Sequence, residues 1–210
     1  MKYGELNLGQ IEAVINKLGG MDGVNRFLRG ELSVSEPTRS WREEDSVIYF
    51  SVTSDGTTGE EWITYLEGKG FRVSDYAKSI LRSPDFKPTP AGTMYHIAVL
   101  KGELFSDDNR ITKNIRAEAK KRKFITPHPE VACLIRDQFS DEDIKAMGLW
   151  YITAMHEPIV SAGDPFLLDV ARGAGGRWLG ADYGMPDDRW YRANGFAFAV
   201  PQASASDTPS

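Results

Sequence analysis

The side chains best suited to chemistry in this chain are three histidines and one cysteine, Cys133. His96 falls inside the run MYHIAVL, His128 sits between Pro127 and Pro129, and His156 adjoins Glu157 and Pro158. No two are spaced as in HExxH, which sets two imidazoles on one helix face against a zinc ion, and Cys133 has no CxxC partner. No metal and no cofactor are therefore expected. Cys133 lies in VACLI, on what reads as the inner side of a helix, where cysteine behaves as a small hydrophobe. The nucleophile elbow GxSxG, the phosphate loop GxxxxGKS/T and the dinucleotide motif GxGxxG are all absent. Ser54 to Gly59, SDGTTG, forms a polar loop from a strand into a helix N-terminus, a place that can hold an anion. No catalytic residue is assigned. The enzymatic alternative left open is a site assembled in three dimensions from Asp55, Thr57, His96, His156 and Glu157.

The elements that would position these groups follow from hydrophobic periodicity. Leu8, Ile11, Val14, Ile15 and Leu18 recur at helical spacing, Gly19-Gly20 stops that helix, and Val24, Phe27 and Leu28 mark a second. Residues 1 to 40 are thus expected as a helical hairpin whose apolar face packs on the rest of the chain, the alternative being a docking or oligomerisation module, with 36 to 40 as linker. From Ser46 the run SVIYFSVT alternates as a strand and ends on Asp55-Gly56. Thr58 and Glu61 make a capping box for the next helix. A short strand at Phe71 to Val73, a helix from Asp75 to Arg82 and the strand MYHIAVLKGELF follow. RITKNIRAEAKKRK is helical, as are HPEVACLIRDQF and SDEDIKAM. LWYITAMHEPI and PFLLDVAR read as strands. The predicted domains are the hairpin at 1–40, an α+β domain over 41–201 and a disordered tail at 202–210.

Composition bounds the function. The chain has 210 residues, 41% hydrophobic and 26% charged, with a net charge of -5. These are values of a globular protein, and the negative balance does not favour a nucleic-acid binder. The lysines and arginines of 113 to 123 read as a solvated helix face, since no aromatic residues interleave them to stack bases. No apolar run approaches the roughly 18 residues of a membrane helix, so no membrane partner is expected. The single cysteine and the absence of a secretory signal point to the cytoplasm.

The C-terminal segment GGRWLGADYGMPDDRWYRANGFAFAV carries the strongest functional signal. Trp178, Trp190, Phe196 and Phe198 look like buried bookends around Gly180 to Asn194, which has no period. A loop rich in Tyr, Asp and Asn supplies contact area and adaptable hydrogen bonds at low entropic cost. GGRW followed by a polar loop and NGFAFAV resembles the closing segment of the C-type-lectin-like fold of the formylglycine-generating-enzyme type. Within that group it resembles the variable proteins of diversity-generating retroelements. The resemblance spans about Leu149 to Val200. It rests on Gly175, Gly176, Trp178, Gly195 and Phe196, while Arg177 and Ala197 depart from the pattern. The remainder of the chain resembles uncharacterised proteins of uncultured small-genome bacteria.

The resemblance implies a C-type-lectin-like domain with an N-terminal helical hairpin and a ligand-facing surface made by the final loops. It does not imply the copper chemistry of the enzymes, which needs two cysteines. The expected ligand-binding residues are Asp182, Tyr183, Met185, Asp187, Asp188, Arg189, Tyr191, Arg192 and Asn194. The expected partner is a macromolecule, a protein in preference to nucleic acid.

Overall fold

The structure is a computed structural model that describes residues 7–33, 39–173 and 176–201. The expected linker at 36–40 falls mostly, and the expected tail at 202–210 wholly, outside these residues, as does Gly175. The chain divides between residues 39 and 40 into two compact units. In the first, α1 (Leu8–Lys17) begins at a capping box formed by Asn7 and Gln10, and α2 (Gly20–Leu28) follows at once. Gly19 and Gly20 reverse the chain with φ of 91° and 80°, conformations that cost glycine little. Gly23 of α2 lies against the Leu18 carbonyl, leaving no room for a side chain.

The second unit is α+β, built on one sheet of nine strands among the described residues. They are β1 (Trp41–Glu44), β2 (Val47–Thr53), β3 (Arg72–Val73), β4 (Met94–Lys101), β5 (Tyr151–Ala154), β6 (Ile159–Ser161), β7 (Asp164–Gly173), β8 (Gly176–Tyr183) and β9 (Asn194–Ala199). Their spatial order is β1-β2-β4-β9-β5-β7-β8-β3, with β6 on β7. The polar run WREE of β1 escapes a periodicity search. It is a strand because Asp45 and Ser46 both adopt positive φ and close a two-residue hairpin onto β2, burying Trp41. The final strand β9 runs antiparallel to β4 and parallel to β5, so it joins the two halves of the sheet.

Alternation along the strands gives the sheet two different faces. Ile48, Phe50, Val52, Ile97, Val99, Ile152, Leu168, Val170 and Leu179 point to a face covered by α3 (Gly59–Gly68), α4 (Asp75–Leu81), α6 (Glu130–Gln138) and α7 (Asp141–Ala146). Residues 130 to 136 of α6 are all buried, including Glu130 and Arg136. Glu130 accepts hydrogen bonds from Ser54 Oγ at 2.9 Å, Thr89 Oγ1 at 2.5 Å and Trp62 Nε1 at 3.4 Å, and Tyr95 donates to Thr89 at 2.9 Å. One buried carboxyl thereby ties α6 to the loop after β2, to α3 and to the loop before β4.

The opposite face carries Val47, Ala98, Leu100, Leu167, Phe196 and Phe198, covered by Ile115 and Ala119 of α5 (Thr112–Lys121) and by Trp190. The expected solvated face of α5 is only partly so. Arg116 turns inward and donates to the carbonyls of Met155 at 3.1 Å and His156 at 2.7 Å, while Arg122 and Lys121 pair with Glu118.

Two expectations for the C-terminal segment are corrected. The irregular stretch is shorter than 180–194, because Gly180 to Tyr183 belong to β8 and Asn194 begins β9. Trp178 is not a core residue: it is half-buried, with the Arg72 guanidinium 5.3 Å from its ring, and the buried residue of that strand is its neighbour Leu179. Alternation explains the second, since 178, 180 and 182 share the face opposite α3, α4, α6 and α7. Phe196→Ala is therefore expected to cost about 3–5 kcal/mol and Trp178→Ala about 1 kcal/mol or less, read by chemical denaturation. Equal losses would contradict the assignment of faces.

Candidate functional site

The loop between β8 and β9 is fixed by its backbone. Gly184 is buried, donates to the Pro165 carbonyl at 2.9 Å and packs tightly, a Cβ there lying 3.0–3.3 Å from the side chains of Leu167 and Pro158. The Met185 N–H donates to Asp188 Oδ2 at 2.7 Å, closing a turn. The first turn of α5 has no side-chain cap; instead the N–H groups of Thr112 and Lys113 donate to the carbonyls of Asp188 and Pro186. Trp190 anchors the far side. Only 8% exposed, it donates through Nε1 to Thr112 Oγ1 at 2.9 Å and through its backbone N–H to the Arg110 carbonyl at 3.0 Å. Close approach is permitted by Gly102, where any Cβ would lie 2.7–2.9 Å from the carbonyls of Tyr191, Arg192 and Asn194.

This loop and the uncovered ends of the strands enclose a recess of about 220 Å³. Tyr151, Asp182 and Asn194 line it from the sheet, Asp188, Arg189, Trp190 and Tyr191 from the loop, and Tyr183 from the end of β8. Six of the nine sequence-expected residues thus meet at one place: Asp182, Tyr183, Asp188, Arg189, Tyr191 and Asn194. Met185, Asp187 and Arg192 are exposed outside the lining, Asp187 pairing with Lys113 at 2.6 Å. Not all of the six are free loop positions, as the composition implied. Asn194 is 2% exposed and Asp182 half-buried, because both are strand residues.

One further acid, next to the recess but not in its lining, was not foreseen. Asp169 of β7 is 3% exposed and faces Gly180 across the β7–β8 pair, where a Cβ would lie 2.9 Å from both carboxylate oxygens. Asp182 stands opposite Leu167, one diagonal step from Asp169 on the same face. Burial, and then the charge of Asp182, push the Asp169 carboxyl well above the ordinary aspartate range; burial, and then Asp188, raise that of Asp182. Desolvation, with the acids around it, also raises the Tyr151 phenol. No described lysine or arginine pairs with Asp169, Asp182 or Asp188, and Arg189 turns to Asp108 at 3.5 Å. Asn194 Oδ1 and Thr153 Oγ1 are buried and have no hydrogen-bond partner among the described residues. The signal for Asp169 was in the sequence: in PFLLDVA an acid stands at the alternation position shared with Leu167.

The residues of the enzymatic alternative are not brought together. Asp55 and Thr57 hydrogen-bond each other beside Trp62 and Tyr65, Glu61 takes the Thr58 N–H, and the possible anion site is thus filled by the loop's own acids. His96 accepts or donates a bond with Ser51 Oγ at 2.8 Å across the β2–β4 pair. Glu157 lines a separate recess with His128 and Tyr95. His156 is buried just beyond β5 rather than in a strand. Its Nε2 accepts from the Leu168 N–H at 2.9 Å, so Nδ1 carries the hydrogen and donates to the Glu157 carbonyl at 2.7 Å. Both nitrogens are occupied and burial lowers its pKa to about 4, the behaviour of a structural histidine.

No family model, no curated protein and no solved structure matches the chain. The site must be read from its own geometry.

His156 gives a pH test of that geometry. The folded state keeps the ring neutral while the unfolded state takes up a proton at its ordinary value near 6.5, so the unfolded state binds more protons below it. This contribution to stability is present above pH 6.5 and is lost as pH falls toward about 4, by up to about 3 kcal/mol. Urea denaturation between pH 7.5 and 4.5 is expected to show a flatter dependence in His156→Gln than in wild type. Identical slopes would mean that the ring is not held neutral.

Proposed function

We propose that the protein is a ligand-binding protein whose recognition surface is the 184–193 loop and the recess beneath it. The observation that carries this reading is a concave site in which Asn194 Oδ1 is buried without a partner and Asp182 and Asp188 have no lysine or arginine counter-charge among the described residues. Buried polar groups are normally hydrogen-bonded, so unpartnered ones at the edge of a recess fit a role in contacting something else. Around the mouth, Tyr183, Met185, Asp187, Arg189, Tyr191 and Arg192 are exposed, a mixture suited to recognition of a macromolecule and, by its aromatic and arginine content, of a protein. The resemblance of residues 149 to 200 to the C-type-lectin-like fold of the formylglycine-generating-enzyme type supports the same reading, as does the likeness to variable proteins of diversity-generating retroelements. On this proposal the diversified positions are the exposed ones, whereas Asn194 and Asp182 belong to the frame. A near-copy of the codons for 172 to 200, differing only at adenines and next to a reverse transcriptase, is its genomic signature. A cytoplasmic location rests on the single buried cysteine; among the described residues no helix is long and apolar enough to cross a membrane.

The test replaces Met185, Asp187, Tyr191 and Arg192 together by Ser. These side chains are exposed, and the Asp187–Lys113 pair is worth little at a solvated surface, so the melting temperature is expected to stay within a few degrees of wild type. Partners captured by the wild type from host lysate should be lost by the variant. A folded variant that captures the same partners would place recognition elsewhere.

A further inference from the structure

Resting on the reading of this recess as a recognition site, we propose that it takes the head group of an organic cation, an alkylammonium or a guanidinium. Asp182 and Asp188 line the recess, Asp169 lies behind Asp182, and none of the three is paired with a lysine or arginine among the described residues. The one lining cation, Arg189, is drawn outward to Asp108. An independent observation comes from Asn194: nine-tenths buried and more, it lines the recess, and its side-chain Oδ1 has no hydrogen-bond partner among the described residues. A buried amide oxygen beside carboxylates calls for a donor, and a cation with several N–H groups supplies donor and charge at once. Tyr151, Tyr183, Trp190 and Tyr191 complete the lining, and aromatic rings attract an organic cation. A metal ion is less suited, since no three His, Cys, Asp or Glu side chains are grouped to hold one among the described residues. The size agrees: about 220 Å³ is below the roughly 300 Å³ at which pockets for drug-sized ligands begin, and admits a head group while the rest of the ligand stays at the mouth. The head group belongs either to a free amine or to a lysine or arginine side chain of a partner.

The probes are methylguanidinium, n-butylammonium and the neutral isostere methylurea, titrated into the wild-type chain at low salt and followed by the indole signal of Trp190 in NMR. Saturable binding of at least one cation in the millimolar range, no saturation by methylurea, and binding weakened at least tenfold in Asp182→Asn are expected. No saturation by either cation, or methylurea binding as well as the cations, would overturn the inference on the wild-type chain alone, whether or not the variant folds. Cation binding unchanged in a folded Asp182→Asn would overturn it too. Lys- and Arg-bearing peptides are then compared with a citrulline peptide. Tighter binding of a charged peptide than of the free head group assigns the cation to a protein side chain, and no gain assigns it to a free amine, both within the proposal. If the cations fail while the loop variant above still loses its partners, the recognition surface stands and only the cation assignment falls.

Discussion

The sheet is held in one piece by its last strand. β9 supplies the only pairing that joins β1-β2-β4 to β5-β7-β8 among the described strands, and all six of its residues are buried. Phe196 and Phe198 fill one face and Ala197 the other, while Gly195 is required because a Cβ would sit 2.6 Å from Val99 and 2.7 Å from Leu149. Among the described strands β9 lies far in sequence from β4 yet pairs with it, which is a non-local closure, and the loop that delivers it must arrive in a fixed register. That accounts for a loop whose backbone is pinned to Arg110, Thr112 and Lys113 although many of its side chains point to solvent.

The same closure explains where the recess lies. Four helices cover one face, but α5 and the loop cover only part of the other, so the ends of β5, β7, β8 and β9 have polar residues where the apolar cover stops. Burying two aspartates side by side is unfavourable, and a fold tolerates it by keeping one of them protonated or by supplying a counter-charge. Here the described residues supply none. The Glu130 hub makes a useful contrast: that carboxyl is equally buried, yet three donors satisfy it and it reads as structural. What distinguishes the recess is acidity without a counter-charge among the described residues, beside the unpartnered Asn194 Oδ1.

Much of the fold was legible in the sequence because local signals and tertiary packing agree. The capping box at Thr58 and Glu61, the cap at Ser140 with Asp143, and the apolar runs of β2 and β7 form as read, whereas the strand expected over MYHIAVLKGELF stops at Lys101 and Gly102–Leu104 turn into a short 3-10 helix. β1 was not legible, since its four residues are strand only through a hairpin turn at Asp45 and Ser46. Trp178 misled because composition does not say which face of a strand is covered. For the site, six residues converge as the loop composition suggested, but the partner that sets its electrostatics, Asp169, is remote in sequence and joins Asp182 only through the β7–β8 register. His156 and Asp55 carried chemical potential in the sequence that folding spends on local hydrogen bonds.

The claim at the centre of this account is that Asp169 and Asp182 form an acid pair held without a counter-charge. Carbonyl-carbon NMR of the two carboxyl groups, followed through a pH titration of the wild-type chain, measures it most directly. Asp169 is expected to keep its proton far above the ordinary aspartate value of about 3.9, with Asp182 raised to a lesser degree. Two carboxyl groups that both ionise near that ordinary value would contradict it.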